Sequence, residues 1–141
     1  MNKNIEIIKE QLRNHAIRFL ENMETFYPFG LALFKDNKIK LYGVEEYNLE
    51  NIPSIDEMTK RLSEKLIHYV EYEEALCIGI ALNSEFLKKE VSGKINTIEI
   101  RILDENADEC FTYFKYQLID SKVIILGETD SPWVDLIPLQ N

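Results

Sequence analysis

The chain has 141 residues, 45% of them hydrophobic and 29% charged, with a formal net charge of −9. That length supports one domain, residues 1–141, able to bury a core without disulfide or metal staples. The longest apolar run, residues 75–82, falls short of the roughly 18 residues a spanning helix needs, and an acid excess repels phosphate backbones, so membrane insertion and nucleic-acid binding are not expected.

The first six residues, Met1 to Glu6, carry no apolar leader core, which predicts a cytoplasmic protein. Cys77 and Cys110 lie far apart and outside any C-x-x-C pair, so both are read as reduced thiols inside strands. The charge is uneven. Residues 1–40 carry +2 and residues 75–103 carry +1, whereas residues 41–74 and 104–141 each carry −6.

Asn4 can cap a first helix. Its apolar residues Ile5, Ile8, Leu12, Ala16, Phe19, Leu20 and Met23 recur at spacings of three and four, the period of one buried stripe. Pro28 ends that helix, because it lacks an amide proton and pushes Tyr27 out of helical geometry. Two strands follow, Leu31 to Phe34 and Lys38 to Tyr42, joined at Asp36-Asn37, which tolerates the positive φ of a tight turn. Leu31 and Leu33, with Ile39 and Leu41, predict one apolar face on both strands. An acidic linker containing Glu45, Glu46, Tyr47 and Glu50 leads to Ser54-Ile55-Asp56-Glu57, the spacing of a capping box. A second helix then buries Ile55, Met58, Leu62, Leu66, Tyr69 and Val70.

Residues 75–82 are apolar almost without interruption, which predicts a strand covered on both faces at the centre of a sheet. Ser84 to Glu90 reads as one helical turn. Ile98, Ile100 and Ile102 alternate with Thr97, Glu99 and Arg101 in a half-exposed strand. Residues 110–119 alternate again, with Phe111, Tyr113 and Lys115 opposed to Thr112, Phe114, Tyr116 and Leu118. Residues 123–126 form a last short strand, and Ser131-Pro132 starts a short terminal helix through Ile137. The order α-β-β-α-β-β-β-β, with short turns between strands, defines an α+β fold: a single antiparallel sheet of about five to six strands with two main helices on one face. That order is similar in topology to profilin-like and roadblock-like scaffolds.

Chemistry-bearing patterns are sparse. His15 and His68 both fall within helices and have no nucleophile at a local spacing, and no G-x-S-x-G elbow occurs. The five glycines, Gly30, Gly43, Gly79, Gly93 and Gly127, never cluster into a phosphate loop. Asp104-Glu105-Asn106-Ala107-Asp108-Glu109 begins like a calcium loop, but Glu109 stands where that loop needs glycine and Lys115 where it needs a bidentate glutamate. No catalytic residue, cofactor or metal site is therefore assigned. Glu99 and Arg101 share a strand face, where they can reach across to Thr112 or Lys115 or line a groove.

Phe26-Tyr27-Pro28-Phe29-Gly30, the Asp36-Asn37 hairpin and Asn96-Thr97-Ile98-Glu99-Ile100 together resemble a pattern in small bacterial α+β proteins, including acidic immunity proteins of polymorphic toxin systems. The resemblance implies a noncatalytic acidic protein-binding module, an immunity protein that neutralises a basic toxin. The candidate partner-binding residues are Tyr42, Glu45, Glu46, Tyr47, Glu50, Asp104, Glu105, Asp108, Glu109 and Trp133, acids beside surplus aromatics. The competing expectation is a small-ligand-binding or enzymatic domain with a pocket between sheet and helices. A homodimer through an exposed sheet edge is a third.

Overall fold

A computed structural model of the chain describes residues 3–43, 53–88, 94–130 and 136–138. Helix α1 spans Lys3–Met23, strands β1 and β2 Phe29–Phe34 and Ile39–Tyr42, and helix α2 Ile55–Tyr72. Four long strands follow: β3, Ala75–Lys88; β4, Lys94–Asp104; β5, Glu109–Ile119; and β6, Lys122–Thr129. The strands form one antiparallel sheet in the order β2-β1-β3-β4-β5-β6, and a short β7, Leu136–Pro138, pairs with the far end of β3. The α+β class and the element order match the sequence pattern.

Local chemistry explains the boundaries. In α1 the buried stripe is Ile5, Ile8, Leu12, Ala16 and Leu20. Glu24 closes the helix with φ 66°, and its N–H donates a hydrogen bond to the Leu20 carbonyl, a left-handed cap without glycine. Met23 lies beyond the packed stripe and is exposed. At the start of α2 the Ser54 hydroxyl accepts the Glu57 amide at 3.1 Å, while the Glu57 carboxylate bonds Arg61 Nε. The predicted box thus closes on one side only. The β1–β2 turn places only Asn37 at positive φ, and Asp36 Oδ1 accepts the Lys38 amide. Asp120 and Ser121 both have positive φ, the two-residue turn that suits right-twisted strands.

The two helices lie on opposite faces of the sheet, not together on one. Leu31, Leu33, Cys77, Ala81, Ile98, Ile100 and Ile102 pack with the α1 stripe. Ala32, Ile78, Ile80 and Leu82 pack with Leu62 and Leu66 of α2. The reason is written in β1 and β3: both are apolar at consecutive positions, so both faces need a cover. Two glycines permit close approach. A Cβ on Gly79 would stand 2.6 Å from Leu12 Cδ1, and one on Gly30 would stand 2.6 Å from Leu66 Cδ1.

Three further expectations change. Residues 84–88 continue β3 as strand, with 84–87 paired to residues 94–97 of β4, because the ladder supplies backbone partners that a single helical turn would leave open. The proposed terminal helix is replaced at Leu136–Pro138 by strand, and its start at residues 131–135 lies outside the described residues. Ile39 and Leu41 are exposed at 36% and 49%, since β2 is an edge strand and α1 reaches over β3 and β4 instead.

Candidate functional site

Because α2 lies mainly over β1 and β3, the same face of β4 and β5 is left beside it as a ledge. The register aligns Ile78, Leu103 and Glu109 in one row, and Ile80, Arg101 and Phe111 in the next. Against these strands α2 presents Ser63 and Ile67. Together they enclose a cleft of about 210 Å³ with an apolar floor of Ile78, Ile80 and Leu103. Phe111 and Ile67 flank it while remaining 41% and 39% exposed. Arg101 and Glu109 supply the charges at its edge.

Arg101 is oriented by its own strand. Glu99, two residues before it on the same face, accepts a hydrogen bond from Arg101 Nε. Glu99 is only 7% exposed, so the pair holds a buried carboxylate against a guanidinium that still reaches solvent. Cross-strand from Glu99 stands Tyr113, whose hydroxyl is pushed above its ordinary pKa by burial and then by the Glu99 charge, with Arg101 acting in the opposite direction. Thr97 precedes them on this face and is fully buried. The face is therefore less exposed than its alternation predicts. Glu99 and Arg101 do not pair with Thr112 or Lys115: their neighbours on β5 are Tyr113 and Phe111, and Thr112 points to the α1 side.

The sequence-selected residues do not converge. Tyr42 sits on the other flank of α2, its ring 5.1 Å from that of Tyr69 and under the Lys65 ammonium at 5.1 Å. Burial, and then the neighbouring Tyr69 and Glu73, raise its hydroxyl to about 12. It serves as packing for α2. Asp104 is 1% exposed, and its Oδ1 accepts the amides of Asn106 and Asp108, each at 2.9 Å. That carboxylate ties the β4–β5 turn, where Ala107 adopts φ 64°. Glu105, Asp108 and Glu109 are exposed around the same turn, and Glu109 borders the cleft. Glu45, Glu46, Tyr47, Glu50 and Trp133 lie outside the described residues.

His15 is half-buried against the Phe19 and Phe29 rings and contacts Arg18; burial and then the Arg18 charge lower its pKa. His68 is exposed and lies 4.9 Å from the Tyr72 ring. Cys77 and Cys110 are both free thiols. Among the described residues, no group of three or more His, Cys, Asp or Glu could hold a metal ion, and no helix is long and apolar enough to cross a membrane.

Sequence reasoning missed Ile67 and Phe111 as site residues. Both left a signal: Ile67 stands off the buried stripe of α2, and Phe111 shares its strand face with Lys115. Apolar side chains left exposed together around one cleft, rather than singly, mark a surface available for contact. No protein-family model, no curated protein and no solved structure matches the chain.

Proposed function

We propose that this protein is a noncatalytic binding module of the cytoplasm whose partner docks on the ledge beside α2. The observation that carries the reading is the pair Phe111 and Ile67, exposed across an apolar cleft with Arg101 and Glu109 at its edge. An aromatic anchor inside a polar border is the anatomy of a protein interface. The net charge of −9 favours a basic partner, which it attracts over long range. In its finer form the reading is an immunity protein that neutralises a basic toxin.

The test is titration calorimetry with basic proteins encoded beside this gene. Binding is expected to weaken as salt rises, and Phe111→Ala to weaken it at least about tenfold while leaving the melting temperature nearly unchanged. A small apolar ligand in the same cleft is the competing occupant, and a metabolite that raises the melting temperature while every neighbouring protein fails to bind would replace this reading.

A further inference from the structure

The two edges of the sheet are built differently. β2 has four residues, with Lys38 before it and Lys40 within it, a short charged edge that discourages further pairing. β6 has eight residues, and Ile124, Ile125 and Leu126 stand 44%, 38% and 46% exposed along it. No charge interrupts residues 123–127.

The ladder fixes which backbone groups of β6 face outward. Ile119 and Lys122 close the two-residue turn as a hydrogen-bonded pair, so the next pair, Leu118 with Val123, is not bonded, and neither is Tyr116 with Ile125. The N–H and C=O groups of Val123 and Ile125 therefore point away from β5. One of these four is already engaged: the Glu21 carboxylate of α1 accepts the Val123 amide proton at 2.9 Å. A helix side chain thus occupies a position that belongs to a neighbouring strand.

We propose that β6 is a pairing edge for β6 of a second copy of this chain, held closed by Glu21. A two-fold axis through Ile124 sets Val123 of each copy opposite Ile125 of the other. Four backbone hydrogen bonds then form, two of which need the Val123 amides that Glu21 holds. The Ile124 side chains meet at the axis on the α2 side, and Val123 and Ile125 meet on the α1 side, so the apolar strip is buried in one continuous sheet. The occupant is self-complementary because the outward groups repeat symmetrically about Ile124. This surface is separate from the ledge beside α2.

Sedimentation velocity across a concentration series tests the proposal with wild type, Glu21→Ala, Glu21→Gln and the double variant Glu21→Ala with Ile124→Lys. Removing the acceptor is expected to tighten self-association at least about tenfold and to slow exchange of the Val123 amide as concentration rises. Glu21→Gln changes the charge equally but keeps an oxygen that can accept the amide, so it stays close to wild type. Ile124→Lys sets two ammonium groups at the axis and restores the monomer. If Glu21→Ala loses its circular dichroism signature, Glu21→Met, which keeps side-chain length without an oxygen acceptor, takes its place. The proposal is overturned if the acceptor-free variant associates no more than wild type, if Glu21→Gln associates equally well, or if Ile124→Lys leaves the dimer intact.

Discussion

The placement of one helix on each face of the sheet can be tested by filling the two glycines that let the helices approach. In Gly79→Ala the new Cβ would meet Leu12 Cδ1 at 2.6 Å, Ile8 Cγ2 at 2.8 Å and Ile102 Cγ1 at 3.2 Å. Carbon atoms sit comfortably at about 3.5–4.0 Å, so the Leu12 side chain must retreat by nearly an ångström. Overpacking of this kind costs about 1–3 kcal/mol. In Gly30→Ala the Cβ would stand 2.6 Å from Leu66 Cδ1 and 2.9 Å from the Gly79 carbonyl oxygen. A strand carbonyl cannot rotate away, which places this variant at the upper end of the range. Gly43 has nothing within 4 Å of its Cβ position, so Gly43→Ala should stay within about 0.5 kcal/mol of wild type. Urea unfolding read by circular dichroism provides the three values. The decisive measurement is coupling: Leu12→Ala should relieve Gly79→Ala by about 1 kcal/mol or more, whereas Leu66→Ala should add to it independently. For Gly30→Ala the partners exchange roles, with partial relief because the carbonyl clash remains. If both glycines couple to the same helix, the opposed placement is refuted.

Asp104→Ala should destabilise the protein by about 2–4 kcal/mol in urea unfolding, because two turn amides lose a charged acceptor; calcium added to wild type should leave its melting temperature unchanged, since Oδ1 is already engaged by the turn. Cys77 is fully buried, and burial, with Asp104 and Cys110 nearby, raises its thiol from an ordinary 9.0 to about 12. The neutral thiol is the folded form, so its contribution is complete below pH 9.0 and declines as pH rises toward about 12, where the unfolded chain gains the thiolate. Stability should fall across that window and fall less in Cys77→Ala. At pH 8, a thiol reagent should modify partly exposed Cys110 first and reach Cys77 only on unfolding.

Periodicity carried the fold far. The spacing from Ile5 to Leu20, the Ser54 cap and the alternations in β4 and β5 are local signals, each produced by a few neighbouring residues and independent of the rest of the chain, whereas α1 ends at a left-handed Glu24 before Pro28 is reached. These signals were sufficient for the order of the two helices and β1 to β6 and for the antiparallel connections, but not for residues 84–88 or 136–138, which are strand where helix was expected. The side of the sheet on which each helix packs is different, because it depends on which of two apolar faces is presented to it across long sequence separations. Nor could alternation show that Glu99 is buried beside Tyr113, since that depends on what covers the face.

The candidate site was legible only in fragments. Acid-rich segments were visible, but Asp104 turns inward to hold its own loop and Tyr42 packs on the far flank of α2, while Glu109 alone among the described sequence-selected residues borders the cleft. What the amino-acid order determined by itself was the two main helices, the strands β1 to β6 and their order, because hydrogen bonding and side-chain period act over one or two turns. Only the tertiary structure decided that Ile67 and Phe111 meet over one cleft, and that Glu21 reaches the Val123 amide 102 residues away. Such contacts arise from register and helix docking, which bring together residues whose separation in sequence carries no signal.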